Sequence, residues 1–233
     1  VAIIEFDKKD TKFKVLADLL VSQIDIHKEY GGVFPNLAKR EHEKALPILI
    51  EKALSNLKNK IKDIDAICVT VGPGLAPALW VGVEFAKSMA IKNNLPVYGI
   101  NHMEGHIFSS LVEKINQKTY RLITPKTPTL SLLISGGHTE LIQTNDFLNY
   151  KKIGETLDDA CGECFDKSAR TIGISYPGGP EISKRAEFAR TRGDISTTEM
   201  RLPRPMLNSK DLNFSFSGLK TAVVHASQKF EHT

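Results

Sequence analysis

Two imidazoles stand four residues apart in Asn101-His102-Met103-Glu104-Gly105-His106, directly after the apolar, strand-like run 96–100. If the chain turns helical at His102, the i and i+4 side chains share a face about one turn apart. That is a two-point metal grip supplied by one short element. It lies at the C-terminal end of a strand, where open α/β sheets bind ligands. A capping histidine beside a packed one fits the same spacing. The zinc-protease pattern H-E-x-x-H does not, because Met103 stands where the general base belongs and Glu104 is displaced by one residue. On a helix that displacement turns the carboxylate by about 100°.

A second candidate is Ser135-Gly136-Gly137-His138-Thr139, between two β-rich runs. Small residues let backbone N–H groups face outward as an anion nest, with the hydroxyls of Ser135 and Thr139 as further donors. An ordinary glycine-containing hairpin turn has the same composition. Gly72-Pro73-Gly74 before a helix and Gly178-Gly179 in a tight turn read either as ligand approaches or as punctuation. A helix expected over 157–172 carries Asp158, Asp159, Glu163 and Asp166, with Asp159, Glu163 and Asp166 on one face. These carboxylates suit either a solvated face or acceptors for ribose hydroxyls. Cys161 and Cys164 have C-x-x-C spacing inside that helical pattern, without a second pair, and read as structural cysteines. Lys184, Arg185, Arg190, Arg192, Arg201 and Arg204 outnumber Glu187, Asp194 and Glu199, a surplus suited to solvent or to a phosphate backbone.

The elements that must position these groups follow from pattern and punctuation. Runs 1–6 and 13–23, separated by Asp7-Lys8-Lys9-Asp10, predict a hairpin. Asn36 is placed to cap a long helix reaching about Asn59, with Pro47 expected to kink or break it. The apolar run 65–71 predicts a central strand buried on both faces, followed by a helix over 76–92. The strand–turn–helix unit recurs at 96–106, so the chain reads as α/β. Residues 116–128 break the pattern and predict a boundary, giving domains 1–122 and 123–233. The second begins with a hairpin, 129–134 and 139–144, around the glycine turn. Helices follow at 157–172, from Tyr176-Pro177-Gly178-Gly179-Pro180 to about Arg190, and over 214–230, with a polar basic loop at 191–213.

The composition is that of a globular protein, 41% hydrophobic and 25% charged among 233 residues. A net charge of +4 permits a polyanionic partner without requiring one. Three cysteines argue against a disulfide framework and for a reducing compartment. No apolar run has the length of a membrane span, and no signal peptide is visible.

Taken in order, the stretches YGGVFPNLA, GPGLAPAL, NHMEGH, LISGGHTEL, GETLDDACGECFDK, YPGGPEISK, PRPM and NFSFSGLKTA resemble the TsaD family, from about Val1 to Phe230. These are tRNA N6-adenosine threonylcarbamoyltransferases, once described as O-sialoglycoprotein endopeptidases. The resemblance implies an actin-like/Hsp70-like (ASKHA) fold of two α/β lobes around a cleft. It implies transfer of threonylcarbamoyl from threonylcarbamoyl-AMP to N6 of adenosine 37 in tRNAs reading ANN codons. One divalent metal ion per subunit is implied, iron in preference to zinc, with His102 and His106 as ligands. Leu133, Ile134, Ser135, Gly136 and Gly137 would line the phosphate and acyl region, and Asp166 and Gly179 would contact the nucleoside. No residue is assigned a catalytic acid or base role. The wording looks bacterial, which implies companion proteins of the TsaB and TsaE types and a cytoplasmic setting; the mitochondrial matrix is the alternative. The family's opening strand with its acidic phosphate motif, its GGVAAN-type adenosine segment and its C-terminal metal-binding Asp do not occur between Val1 and Thr233. The chain is therefore expected to be incomplete at both ends, and inactive alone or dependent on those parts in trans. A non-catalytic nucleotide- or metal-binding module of the same fold and a glycoprotein-cleaving metalloprotease are the rival readings.

Overall fold

The computed structural model describes residues 1–7, 9–58, 60–146, 149–193 and 202–230. Two compact units are present, Val1–Asp25 with Val33–Pro125, and Ile26–Gly32 with Lys126–Thr233.

In the first unit, β1 (Ala2–Asp7) and β2 (Lys12–Asp18) form the expected antiparallel hairpin. Lys8 of the expected turn lies outside the described residues. The second strand stops at Asp18 rather than continuing toward Gln23. The short helix α1 (Ile24–Lys28) follows, its residues from Ile26 on counting with the second unit, and then α2 (Pro35–Leu54). Asn36 is not the cap of α2: Phe34 holds that position without a side-chain hydrogen bond, and Pro35 opens the helix. Proline suits that place because its missing N–H would have had no helical partner there. Pro47 does not end the helix, which runs on to Leu54 and packs against the next long helix. Ser55 caps α2, so it stops short of the expected end; Asn59 lies outside the described residues.

The strand β3 (Ile67–Gly72), the helix α3 (Ala76–Asn93) and the strand β4 (Val97–Asn101) make a strand–helix–strand unit whose two strands pair in parallel. The expectation of a strand buried on both faces fails here. Ile67 and Val69 are half-buried, whereas Cys68, Thr70 and Val71 are exposed. The helix α3 packs on β3, and across the ladder Cys68 and Thr70 face Tyr98 and Ile100 on a side that is exposed among the described residues. The helix α4 (His102–Ser109) leaves the end of β4 directly. Two short strands, β5 (Val112–Lys114) just before the stretch 116–128 expected to be a boundary and β6 (Thr119–Leu122) inside it, join β1 and β2 in the order β1-β2-β6-β5. At three and four residues they lie at or below the shortest run in which alternation can be counted.

The second unit is built on a three-stranded antiparallel sheet: β7 (Thr129–Ile134), β8 (Thr139–Asp146) and β9 (Asn149–Glu155). Helices α5 (Cys161–Thr171), α6 (Gly178–Arg192) and α7 (Ser217–Phe230) complete it, with α6 and α7 both packed on α5. The helix expected from 157 starts four residues later, so Asp158 and Asp159 lie in the loop before it. Their carboxylates are taken up by Lys167 of α5, by Ser217 and Lys220 of α7 and by Phe216 just before it. The segment 212–214 runs against the end of β9, where Phe214 N–H donates to Glu155 O and Leu157 N–H donates to Phe214 O.

That approach sets one expected result. A Cβ on the buried Gly154 would overlap the Leu212 carbonyl oxygen, and backbone on both sides leaves little to yield. Gly154→Ala should lower stability by about 1–2 kcal/mol, in the range for overpacking. Urea unfolding followed by circular dichroism measures it, and an unchanged midpoint would contradict the packing described.

Candidate functional site

The first cluster sits where β4 turns into α4. Asn101 is the N-cap, its side chain accepting from Met103 N–H at 2.8 Å. Met103 and Ile107 are buried and anchor the helix. His102 and His106 each precede a buried residue by one position, so they stand about 100° away from the anchored stripe and are exposed. Their Nε2 atoms are 3.1 Å apart, with the rings edge to face at 4.5 Å between centroids. Two metal–nitrogen bonds of about 2.0–2.1 Å meeting at a square or tetrahedral angle separate the nitrogens by about 2.9–3.4 Å. The separation equals one edge of a coordination polyhedron, and it is equally that of a hydrogen bond between the two rings. Among the described residues no group of three or more His, Cys, Asp and Glu side chains is gathered to hold a metal.

The second cluster belongs to the other unit and centres on the turn between β7 and β8. Ser135 N–H donates to His138 O at 2.8 Å and closes the hairpin. The outward nest expected from the composition is only partly present. Gly137 N–H and His138 N–H turn onto Ser135 Oγ, at 3.3 and 3.0 Å. Thr139 is 2% exposed, and its hydroxyl is not an outward donor but accepts from Cys161 N–H at 2.9 Å. Local side-chain acceptors compete for turn N–H groups, and here they win. Leu133 is buried beneath the turn, Ile134 is exposed beside it, and Gly136 and Gly137 form its exposed tip.

The helix α5 connects this turn to the other residues singled out. Gly162 N–H donates to Ser135 O at 3.1 Å. One turn further along α5, Asp166 Oδ1 accepts from Gly178 N–H at 2.8 Å and from Gly179 N–H at 3.1 Å at the start of α6. Gly162 and Asp166 are related as i and i+4, on one face and about 6 Å apart along the axis. The turn and the Asp166–Gly179 pair are thus brought together on a single helix. Burial raises the Tyr176 hydroxyl above its ordinary range, with the Asp166 charge adding to it.

Behind this face lies a network that sequence reasoning missed. Asp158 accepts from Phe216 N–H at 2.7 Å, Ser217 N–H at 3.3 Å, and the hydroxyls of Ser215 and Ser217 at 2.6 Å each, closing the start of α7. Partial burial alone would raise its carboxyl; these four hydrogen bonds outweigh it and hold the group well below the usual carboxylate range. Asp159 is bound by Lys167 at 2.7 Å and Lys220 at 2.8 Å, which lower it in turn. Lys167 also meets Glu163, and its ammonium is raised by Asp159 first and Glu163 second. Asp159 is therefore an ion-pair centre rather than part of an acidic helix face. The only sequence signal was the Asp158-Asp159 doublet facing lysines some eight and sixty residues away, a separation that no periodicity encodes.

The cysteines remain thiols: Cys161 is half-buried and Cys164 buried, and burial raises both. On α6, Arg185 pairs with Glu181 and Arg190 with Glu187, while Arg192 lies 4.4 Å over the Phe188 ring. Arg201, Asp194 and Glu199 of the basic stretch lie outside the described residues. No helix among the described residues is long and apolar enough to cross a membrane.

Against this geometry, the comparisons with known proteins agree on one family. The family model described as TsaD, tRNA N6-adenosine threonylcarbamoyltransferase, matches residues 14–233. A protein of Burkholderia lata with that same name is 51% identical over 223 residues, covering 95% of this chain and 60% of the relative. A Burkholderia ambifaria protein of that name is 50% identical over the same span and shares. The chain thus spans about 60% of the length of the curated relatives it matches.

Proposed function

Because this chain belongs to the TsaD family, we propose that it serves the transfer of threonylcarbamoyl from threonylcarbamoyl-AMP to N6 of adenosine 37 in tRNAs reading ANN codons. The observation that carries this reading is the pairing through α5. The glycine turn and the Asp166–Gly179 pair lie one helical turn apart, about the length of a ribose–phosphate unit. In this reading Leu133, Ile134, Ser135, Gly136 and Gly137 hold the phosphate and acyl groups. Asp166 and Gly179 hold the nucleoside, and the parent architecture is the actin-like/Hsp70-like two-lobe fold.

The reaction forms a bond from N6 to the carbamoyl carbon and breaks the bond from that carbon to the phosphate oxygen. AMP leaves with the electron pair, and the N6 proton passes to solvent. The turn serves this by keeping the leaving group still, with small residues letting backbone N–H groups approach phosphate oxygens closely. A ligand oxygen at the tip would take over Gly137 N–H from Ser135 Oγ, which the 3.3 Å bond gives up at little cost. His102 and His106 would hold a divalent metal, iron in preference to zinc, through Nε2. Such an ion supplies Lewis-acid polarisation and charge neutralisation. The cationic side chains of α6 suit the tRNA backbone. Companion proteins of the TsaB and TsaE types and a cytoplasmic setting complete the proposal. Proteolysis is not favoured, since Glu104 stands two positions from His102 rather than beside it.

The test supplies the purified chain with iron or zinc, threonylcarbamoyl-AMP and unmodified tRNA, with and without the companion proteins. The tRNA is then digested and its nucleosides resolved by mass spectrometry. Threonylcarbamoyl-adenosine at the adenosine next to the anticodon is the expected product. A chain that neither forms it in either arm nor binds threonylcarbamoyl-AMP in a parallel titration would overturn the proposal.

A further inference from the structure

We propose that Gly162 and Thr139 are positioning residues for the turn at Ser135–Gly137, setting the direction of its tip through backbone contact with α5. This rests on the reading of that turn as the phosphate and acyl seat.

Three observations carry it. First, a Cβ on Gly162 would lie 2.6 Å from Ser135 O, 2.8 Å from Gly136 Cα and 2.9 Å from Gly136 N. All three are backbone atoms, so no flexible side-chain end can move aside; the turn and the helix are in contact main chain to main chain. Only glycine permits that approach. Second, Gly162 N–H donates to the Ser135 carbonyl, and the Ser135–Gly136 peptide is trans. In a trans peptide the C=O and N–H point in opposite directions. By holding Ser135 O toward α5, Gly162 aims Gly136 N–H away from the helix, toward the exposed side of the tip. Third, Thr139 ties the neighbouring residue of α5 to the base of the same hairpin. It is 2% exposed, accepts from Cys161 N–H at 2.9 Å through Oγ1 and from Thr156 N–H at 2.9 Å through its carbonyl, and faces Ile134 across the ladder. Cys161 and Gly162 thus spend consecutive N–H groups on the two ends of one turn. Gly162 has no side chain to offer a ligand and Thr139 is buried, so both act through the backbone of the turn.

The experiment is a calorimetric titration of the whole chain with threonylcarbamoyl-AMP, at fixed metal concentration, with a thermal melt for every variant. Gly136→Val, which puts bulk on the exposed tip, tests the seat itself and should weaken binding tenfold or more. Gly162→Ala and Thr139→Val should each weaken binding about tenfold. Thr139→Ser keeps the hydroxyl and should stay within twofold of the unaltered chain. Gly154→Ala, destabilised elsewhere in the same unit, should keep full affinity, which separates positioning from general loss of stability. Unaltered affinity in Gly162→Ala and Thr139→Val beside a weakened Gly136→Val overturns the positioning role and leaves the seat standing. Unaltered affinity in Gly136→Val, or no binding by the unaltered chain, removes the seat and this inference with it. If Gly162→Ala does not fold, the contrast between Thr139→Val and Thr139→Ser decides: equal weakening by both overturns the role of the hydroxyl.

Discussion

Replacing His102 or His106 by alanine is expected to lower the affinity for divalent metal by on the order of 100-fold or more, because either change leaves a single exposed imidazole. Loss of a group that merely orients a ligand already costs about 10–100-fold, so loss of a ligand lies at or beyond that range. The double replacement should be little worse than either single one, since the two Nε2 atoms, 3.1 Å apart, act as one grip and their effects do not add. The fold should survive. Both rings are exposed, while Met103 and Ile107 anchor α4 and Asn101 caps it. Asn101→Ala should instead cost about 1 kcal/mol of stability, the usual worth of an N-cap, with a smaller effect on metal. Metal content after dialysis, measured by plasma emission spectroscopy beside far-ultraviolet circular dichroism, tests all of these. A folded double variant that keeps its metal would mean that the ion sits elsewhere.

The second large effect is on stability and its pH dependence, and it comes from Asp158. Alanine there removes the acceptor for two backbone N–H groups and two hydroxyls at the start of α7. One cap of this kind is worth about 1–2 kcal/mol, and bonds to a charged acceptor exceed neutral ones. Because the carboxylate is exposed to solvent, screening holds the expected loss to about 2–3 kcal/mol rather than the sum of four bonds. The direction with pH follows from linkage. The folded-state carboxyl is depressed, so its contribution is fully present above the ordinary carboxylate range near 4. It is lost as pH falls through that range toward the folded value. Asp159, lowered by Lys167 and Lys220, contributes with the same sign. The unaltered protein should therefore lose stability steeply below about pH 4, and Asp158→Ala should flatten that limb while lowering the plateau at neutral pH. Urea midpoints between pH 3 and 7 test this; parallel curves for the two proteins would contradict the role given to Asp158.

These contacts explain why some of the site was legible before any coordinates. The i, i+4 pair at His102 and His106 needs only a helix beginning at 102, and a strand ending in a capping Asn supplies it. The turn at Ser135–His138 needs only two β-rich runs flanking small residues. Both are local, and local periodicity reports them. Local pattern fails where a residue's partner is distant. The spacing of Asp158 and Asp159 to Glu163 and Asp166 fits a helix. They stay out of it because Phe216, Ser217 and Lys220 take their carboxylates. The composition of the turn makes Thr139 an outward donor, and the chain turns it inward to Cys161.

The residues alone determined the α/β class, the family, the four-residue spacing of the two histidines and the glycine turn, because each is written in neighbours along the chain or in the order of motifs. Tertiary structure alone decided that the imidazole nitrogens converge to 3.1 Å and that β3 has an exposed face. It also decided that one helix carries both the turn and the Asp166–Gly179 pair. The physical reason is the same throughout. Backbone preferences and apolar patterning act over a few residues, whereas hydrogen bonds and ion pairs between distant segments are chosen only when packing brings those segments within reach.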